Sequence, residues 1–162
     1  MTNKYRPCIW FDGNGKEAAE YYAEVFPNVT VGKIIYYGKE QPDFNQHLVG
    51  QPLTITVSFG DQEYIFLNAG SEFPHSENFS IEVMCEDQAE VDTYWDRLVG
   101  DGGQESVCGW CKDKFGVSWQ IVPKQFYELM GDPEKESAVM TAMFQMKKLI
   151  VADLEAAAAT AS

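Results

Sequence analysis

The stretch Asp87-Gln88-Ala89-Glu90-Val91-Asp92-Thr93-Tyr94-Trp95-Asp96-Arg97-Leu98 decides the fold. A related pattern stands 73 residues earlier, at Asn14-Gly15-Lys16-Glu17-Ala18-Ala19-Glu20-Tyr21-Tyr22-Ala23-Glu24-Val25. Asp87 with Glu90, and Asn14 with Glu17, have the spacing of a helix cap followed by a carboxylate in the first turn. The apolar positions Val91, Tyr94, Trp95 and Leu98 match Ala18, Tyr21, Tyr22 and Val25. Both sets follow i, i+3, i+4, i+7, one stripe of an amphipathic helix. Each helix follows a strand-like run, Cys8 to Phe11 and Phe79 to Cys85. Turn signals follow each, at Pro27-Asn28 and at 100–103.

Strands are expected beyond each helix. In the first copy they cover 30–37, 53–59 and 63–68, with Gly60-Asp61 turning the last two into a hairpin. In the second they cover 105–110 and 117–122, joined by a turn over 112–116. The polar segment 38–50 reads as a loop. Residues 124–159 read as a helical extension broken at Gly131-Asp132-Pro133. A 73-residue period of strands and helix is no solenoid. The expected fold is therefore α+β: two paired βαβββ modules, 5–70 and 76–123, and a C-terminal helical extension, 124–162, in a single domain over 1–162.

Composition bounds the function. The chain has 162 residues, 45% of them hydrophobic, enough for one ordinary core. The net charge of −13 argues against nucleic acid and anionic membrane surfaces, which require a basic patch. No run approaches the roughly 18 apolar residues of a membrane span. The polar start, Met1 to Pro7, lacks a secretory apolar region, and with four cysteines this predicts the reducing cytoplasm and free thiols. Cys108 and Cys111 form a C-x-x-C on what reads as an extended run. Their Cα atoms would then be roughly 10 Å apart, beyond disulfide reach.

Alternation sorts each strand into two faces. Phe79, Ile81 and Val83 oppose Ser80, Glu82 and Met84. Leu53, Ile55, Val57 and Phe59 oppose Thr54, Thr56 and Ser58. Val117, Trp119 and Ile121 oppose Ser118, Gln120 and Val122. The apolar faces should carry the helices. The other faces bear hydroxyls, an amide and one acid where a solvated face would carry more Lys and Glu. That mixture suits a small-molecule cleft. Its expected lining is Trp10, Thr56, Asn68, Ser80, Trp110 and Gln120 as ligand-binding residues, with Glu82 as the catalytic candidate. A carboxylate buried among apolar walls has a raised pKa and can act as a base. Glu82 is expected to be the least exposed carboxylate. A Glu82 paired with a cation or hydrogen-bonded to the hydroxyls is the simpler alternative.

Trp10-Phe11-Asp12, Glu17-Ala18-Ala19, Tyr22 and Phe26-Pro27 resemble the opening of PhnB-like proteins, often labelled 3-demethylubiquinone-9 3-methyltransferase domains. The second half resembles them more specifically: Asp87 to Asp92, Trp95, Cys108-Gly109-Trp110, Asp113, and Gly116 through Pro123. Ala142-Met143 to Met146-Lys147 resembles their C-terminal helix. The resemblance spans nearly the whole chain. It implies the vicinal oxygen chelate (glyoxalase/bleomycin resistance/dioxygenase) fold, usually as a homodimer. Many members of that superfamily hold a divalent metal on the first, fourth, fifth and eighth strands. Carried over, those positions fall at Pro7 or Cys8, near Asn68, at Ser80 and at Gln120. None supplies His or a carboxylate, so neither a metal nor another cofactor is expected. The methyltransferase label finds no cofactor turn: Asp12-Gly13-Asn14-Gly15 stands in a βαβββ order, not an alternating parallel βα one.

The expected function is binding of a small-molecule ligand in a metal-independent cleft. The alternative is an enzyme using Glu82 as a base or recruiting a divalent metal. A homodimer is also expected from the stripe Val139, Met143, Met146 and Ile150 with Met140 and Phe144, which exceeds the packing needs of one helix. The sequence assigns no role to His47 or His75.

Overall fold

The computed structural model describes residues 4–160. The chain divides into two compact units, Met1–Pro74 and His75–Ser162. Composition had led to one core. Each unit instead closes the apolar side of its own sheet with its own helix, and the C-terminal extension belongs to the second unit.

In the first unit β1 (Cys8–Phe11) leads into helix α1 (Gly15–Val25), followed by β2 (Val29–Tyr36), β3 (Pro52–Phe59) and β4 (Gln62–Asn68). The sheet order is β1-β4-β3-β2, with β1 parallel to β4 and the other pairs antiparallel. Alternation holds. Ile9, Phe11, Ile55, Val57 and Phe66 are buried with Ala18, Tyr21, Tyr22 and Val25 of α1. The Tyr22 ring meets Phe66 edge-on at 5.9 Å. Between β2 and β3 the expected loop contains a 3₁₀ helix, Asp43–Leu48.

The Asn14 cap expected from spacing is not made, since its side chain caps nothing. The free N–H at Gly15 instead donates to Asn68 Oδ1 at 2.8 Å, and Asn68 Nδ2 donates to the Pro52 carbonyl at 3.0 Å. Asn68 thus joins the helix start to β3 and β4, which no local pattern could reveal. In the second copy the expected cap forms. The Asp87 side chain accepts from Glu90 N at 2.9 Å, and the Glu90 carboxylate accepts from Glu86 N at 2.7 Å.

The second unit repeats the order with β5 (Ile81–Cys85), α2 (Gln88–Gly100), β6 (Gln104–Glu105), β7 (Trp110–Lys112) and β8 (Ser118–Pro123), sheet order β5-β8-β7-β6. Val91, Tyr94, Trp95 and Leu98 are buried, as are Ile81, Trp119 and Ile121. The strand expected over 105–110 is broken. Cys108 and Gly109 turn the chain with φ of 57° and 82°, and Trp110 N donates back to the Val107 carbonyl at 3.0 Å. Positive φ at both central positions makes this a tight reversal, so the extended-run basis for separating Cys108 from Cys111 does not hold. All four cysteines are nevertheless free thiols.

The extension forms three helices: α3 (Lys124–Met130), α4 (Glu136–Met143) and α5 (Val151–Thr160). Val139, Leu154 and Ala158 form a buried cluster against which Phe126, Leu129, Met130, Met143 and Met146 pack. Much of the methionine stripe is therefore consumed inside the unit, and it no longer argues for a dimer. Among the described residues no helix is long and apolar enough to cross a membrane.

Candidate functional site

In the second unit, β7, β8 and β5 place Trp110 opposite Gln120, and Gln120 opposite Glu82. These residues share the sheet face turned away from α2, because their neighbours Cys111, Trp119, Ile121 and Ile81 are buried on the other. Gln120 Nε2 donates to Ser80 Oγ at 2.9 Å. The Tyr127 hydroxyl donates to Glu82 Oε2 at 2.7 Å. Four expected residues, Ser80, Glu82, Trp110 and Gln120, thus lie together, and Tyr127 of α3 joins them. Burial, followed by the hydrogen bond to Glu82, pushes the Tyr127 phenol up to about 12, so it stays protonated and keeps donating.

Glu82 is not the buried carboxylate that alternation predicted. It is exposed, as is Met84 two residues on, although the Tyr127 hydroxyl of α3 reaches its carboxylate. Asp113, 3% exposed, is the buried carboxylate among the described residues. It accepts from Phe115 N at 2.8 Å, Val117 N at 3.0 Å and Trp119 Nε1 at 2.8 Å. These bonds tie the β7–β8 turn, and the carboxylate takes no part in the open-face row.

Ser118 was also passed over. Its hydroxyl is buried without a hydrogen-bond partner and borders a small cavity of about 100 Å³ that Trp110 and Lys112 also line. Its place on the mixed face was legible, but its isolation was not.

In the first unit, Trp10 and Thr56 lie on the face away from α1. Trp10 pairs with Leu67, and Thr56 with Ile65. Trp10 Nε1 donates to the Gly70 carbonyl at 2.6 Å, and its ring meets Phe73 edge-on at 4.8 Å. Asn68 is not on the open face: it is 4% exposed on the helix side, its Oδ1 accepting from Gly15 N and its Nδ2 donating to the Pro52 carbonyl, and it borders the cavity at the end of this sheet.

A larger cavity, about 730 Å³, lies at the end of this sheet. The β1–α1 turn, the 3₁₀ helix and the segment after β4 line it, including Asp12, Tyr37, Phe44, His47 and Glu72. His47 stands in the polar loop expected over 38–50, and only the fold brings 43–48 beside residues 69–72. His75 is half-buried in the second unit. Burial lowers its pKa, while the charge of Asp113 pulls the other way.

The residues at the metal positions that the resemblance implies do not fit a metal. Cys8 is an exposed thiol, Asn68 is an amide bonded to Gly15 and Pro52, and Gln120 is an amide bonded to Ser80. Among the described residues no three His, Cys, Asp or Glu side chains are grouped to hold an ion. Burial pushes the thiols of Cys85 and Cys111 up to about 12, away from thiolate chemistry.

The family model for 3-demethylubiquinone-9 3-methyltransferase matches residues 3–122. Among solved structures, the PhnB protein of Bacillus cereus is 26% identical, with a TM-score of 0.65 over 75% of this chain and 99% of that one. Protein PA1353 of Pseudomonas aeruginosa shares the fold at 18% identity, with a TM-score of 0.60 over 75% of this chain and 97% of its own. A comparison with curated proteins gives no match. The matched span takes in the first βαβββ unit, the second as far as Val122, and the Cys108-Gly109-Trp110 and Ser118-Trp119-Gln120 segments, and the chain belongs to the 3-demethylubiquinone-9 3-methyltransferase family.

Proposed function

We propose that the protein binds a small molecule on the open face of its second sheet, without a metal. The observation that carries this reading is the cross-strand row Trp110, Gln120 and Glu82, held by Ser80 and Tyr127. Trp110 offers a flat apolar wall, and Gln120 offers an amide to a polar ligand edge. In the first unit, Trp10 and Thr56 are proposed ligand contacts on the corresponding face. Glu82 serves as a hydrogen-bonding group, because its exposure removes the basis for a general base. The methyltransferase of the family's name is not adopted. The glycine turn before α1 spends its first helical N–H on Asn68 and stands in a βαβββ unit.

The test is a fragment screen by ligand-observed NMR on chelator-treated protein. Hits should bind equally with and without added divalent ions. Gln120→Leu should weaken them about tenfold, the loss of one hydrogen bond. Hits indifferent to Gln120→Leu and Trp110→Phe, or binding that requires a metal, would overturn the reading.

We also propose a homodimer working in the cytoplasm. Free thiols suit that compartment. The proposed dimer rests on Met84 and Tyr127, which are 62% and 44% exposed and both stand by Glu82, Met84 two residues on along β5 and Tyr127 through its hydrogen bond. Apolar side chains exposed side by side favour a twofold partner. Sedimentation at micromolar concentration should give twice the chain mass, and Met84→Lys should shift it toward monomer. A monomeric wild type would refute the dimer.

A further inference from the structure

We propose that the cavity at the end of the first sheet is a second binding site, selective for small molecules that join a cation to an apolar body. At about 730 Å³ it falls in the size range of small-molecule pockets. Its walls are anchored on both sides. The Tyr37 hydroxyl donates to the Asn68 carbonyl at 2.8 Å, and Trp10 Nε1 to the Gly70 carbonyl at 2.6 Å. Each of these carbonyls already accepts one hydrogen bond, and the charged side chains bias the selectivity.

Those side chains carry one sign of formal charge. Asp12 and Glu72 contribute carboxylates, and no Lys or Arg is among the described lining residues. The chain's net charge of −13 adds to the same field. Tyr37 and Phe44 line the cavity as well, and Phe44 stands 75% exposed. A cavity that holds both aromatic rings and carboxylates can attract an ammonium through the ring quadrupole and through charge. A carboxylate or phosphate ligand would meet repulsion from Asp12 and Glu72, with no Lys or Arg and only the His47 imidazole beside them among the described lining residues. Aromatic face, carboxylates and volume together define the ligand class: a primary or substituted ammonium on a ring or short chain.

The test uses benzylammonium, benzyl alcohol and benzoate, which share a ring and differ in charge. Titration of the full-length protein is followed by amide and indole NMR shifts. Benzylammonium should bind at least roughly tenfold more tightly than benzoate, with benzyl alcohol between them. Shifts should centre on Gly70 and residues 43–48. The double variant Asp12→Asn with Glu72→Gln should lose roughly two- to fivefold for each carboxylate, and only for the ammonium. Phe44→Ala should weaken benzylammonium and benzyl alcohol alike. All three positions are exposed, so the variants should stay folded, which an unchanged amide spectrum would check. Equal affinity for the three probes, no binding at millimolar concentration, or shifts centred on the Trp110 indole would overturn the proposal. The second-sheet reading is judged separately, by Gln120→Leu, which should leave benzylammonium binding unchanged.

Discussion

Replacing Asp113 by Ala is expected to cost about 3–5 kcal/mol of stability, the range for breaking a buried, charge-assisted network by removing one partner. The carboxylate accepts from two backbone N–H groups and from the Trp119 indole, all within 2.8 to 3.0 Å. Its removal leaves three donors without this acceptor around a wholly buried Trp119. Asp113→Asn should cost less, about 1–3 kcal/mol, because one oxygen still accepts while the amide nitrogen opposes another donor. The effect should also reach His75. The charge of Asp113 raises the His75 pKa against burial, so removing it should lower that pKa further. Urea unfolding measures the first effect, and histidine NMR titration of the folded variant measures the second. A loss below about 1 kcal/mol for the Ala variant would show that the turn holds without the carboxylate.

Gly103→Ala should be comparably damaging for a different reason. An added Cβ would lie 2.2 Å from the Leu98 carbonyl oxygen and 2.3 Å from that of Lys112. Both are backbone atoms, one in the last turns of α2 and one in β7, so neither can rotate away. The substitution must pry the helix from the strand, at an expected cost above about 3 kcal/mol. Gly102→Ala is the control. Gly102 needs a φ of 104°, yet its added Cβ would meet only Lys114 Cβ at 3.6 Å. Its cost should be about 1–2 kcal/mol, that of left-handed backbone alone. Thermal unfolding of the two variants should rank Gly103→Ala well below Gly102→Ala. Equal midpoints would contradict the steric account.

Much of the fold was legible because it is written in short-range patterns. The stripe Val91, Tyr94, Trp95 and Leu98 could bury only one face, and β8 alternated Trp119 and Ile121 against Ser118 and Gln120. The Asp87–Glu90 cap was readable because donor and acceptor lie three residues apart. The matching expectation at Asn14 failed because a distant side chain, Asn68, reaches that helix start first. The break at Cys108-Gly109 was missed because one glycine beside a non-glycine residue is a weak turn signal. Non-glycine residues seldom take positive φ.

The candidate site was legible to the extent that alternation could carry it. Ser80, Glu82 and Gln120 were picked from strand parity and Trp110 as an apolar wall beside them, and strand register sets Glu82, Gln120 and Trp110 in one row while Ser80 joins through its bond to Gln120. Parity assigns a side chain to a face but says nothing about what covers that face. Burial comes from whatever packs on top, so Glu82 is exposed while Asp113, in a turn, is buried. The end-of-sheet cavity has no sequence signature, since its walls come from segments some 30 residues apart. By itself, then, the sequence determined the two βαβββ units and which residues share a sheet face, because helix and strand periodicity are local properties of the chain. Only the tertiary structure decided which carboxylate is desolvated, which amide is consumed in capping a helix and where the larger cavity opens, because desolvation and hydrogen-bond competition depend on neighbours brought together by folding.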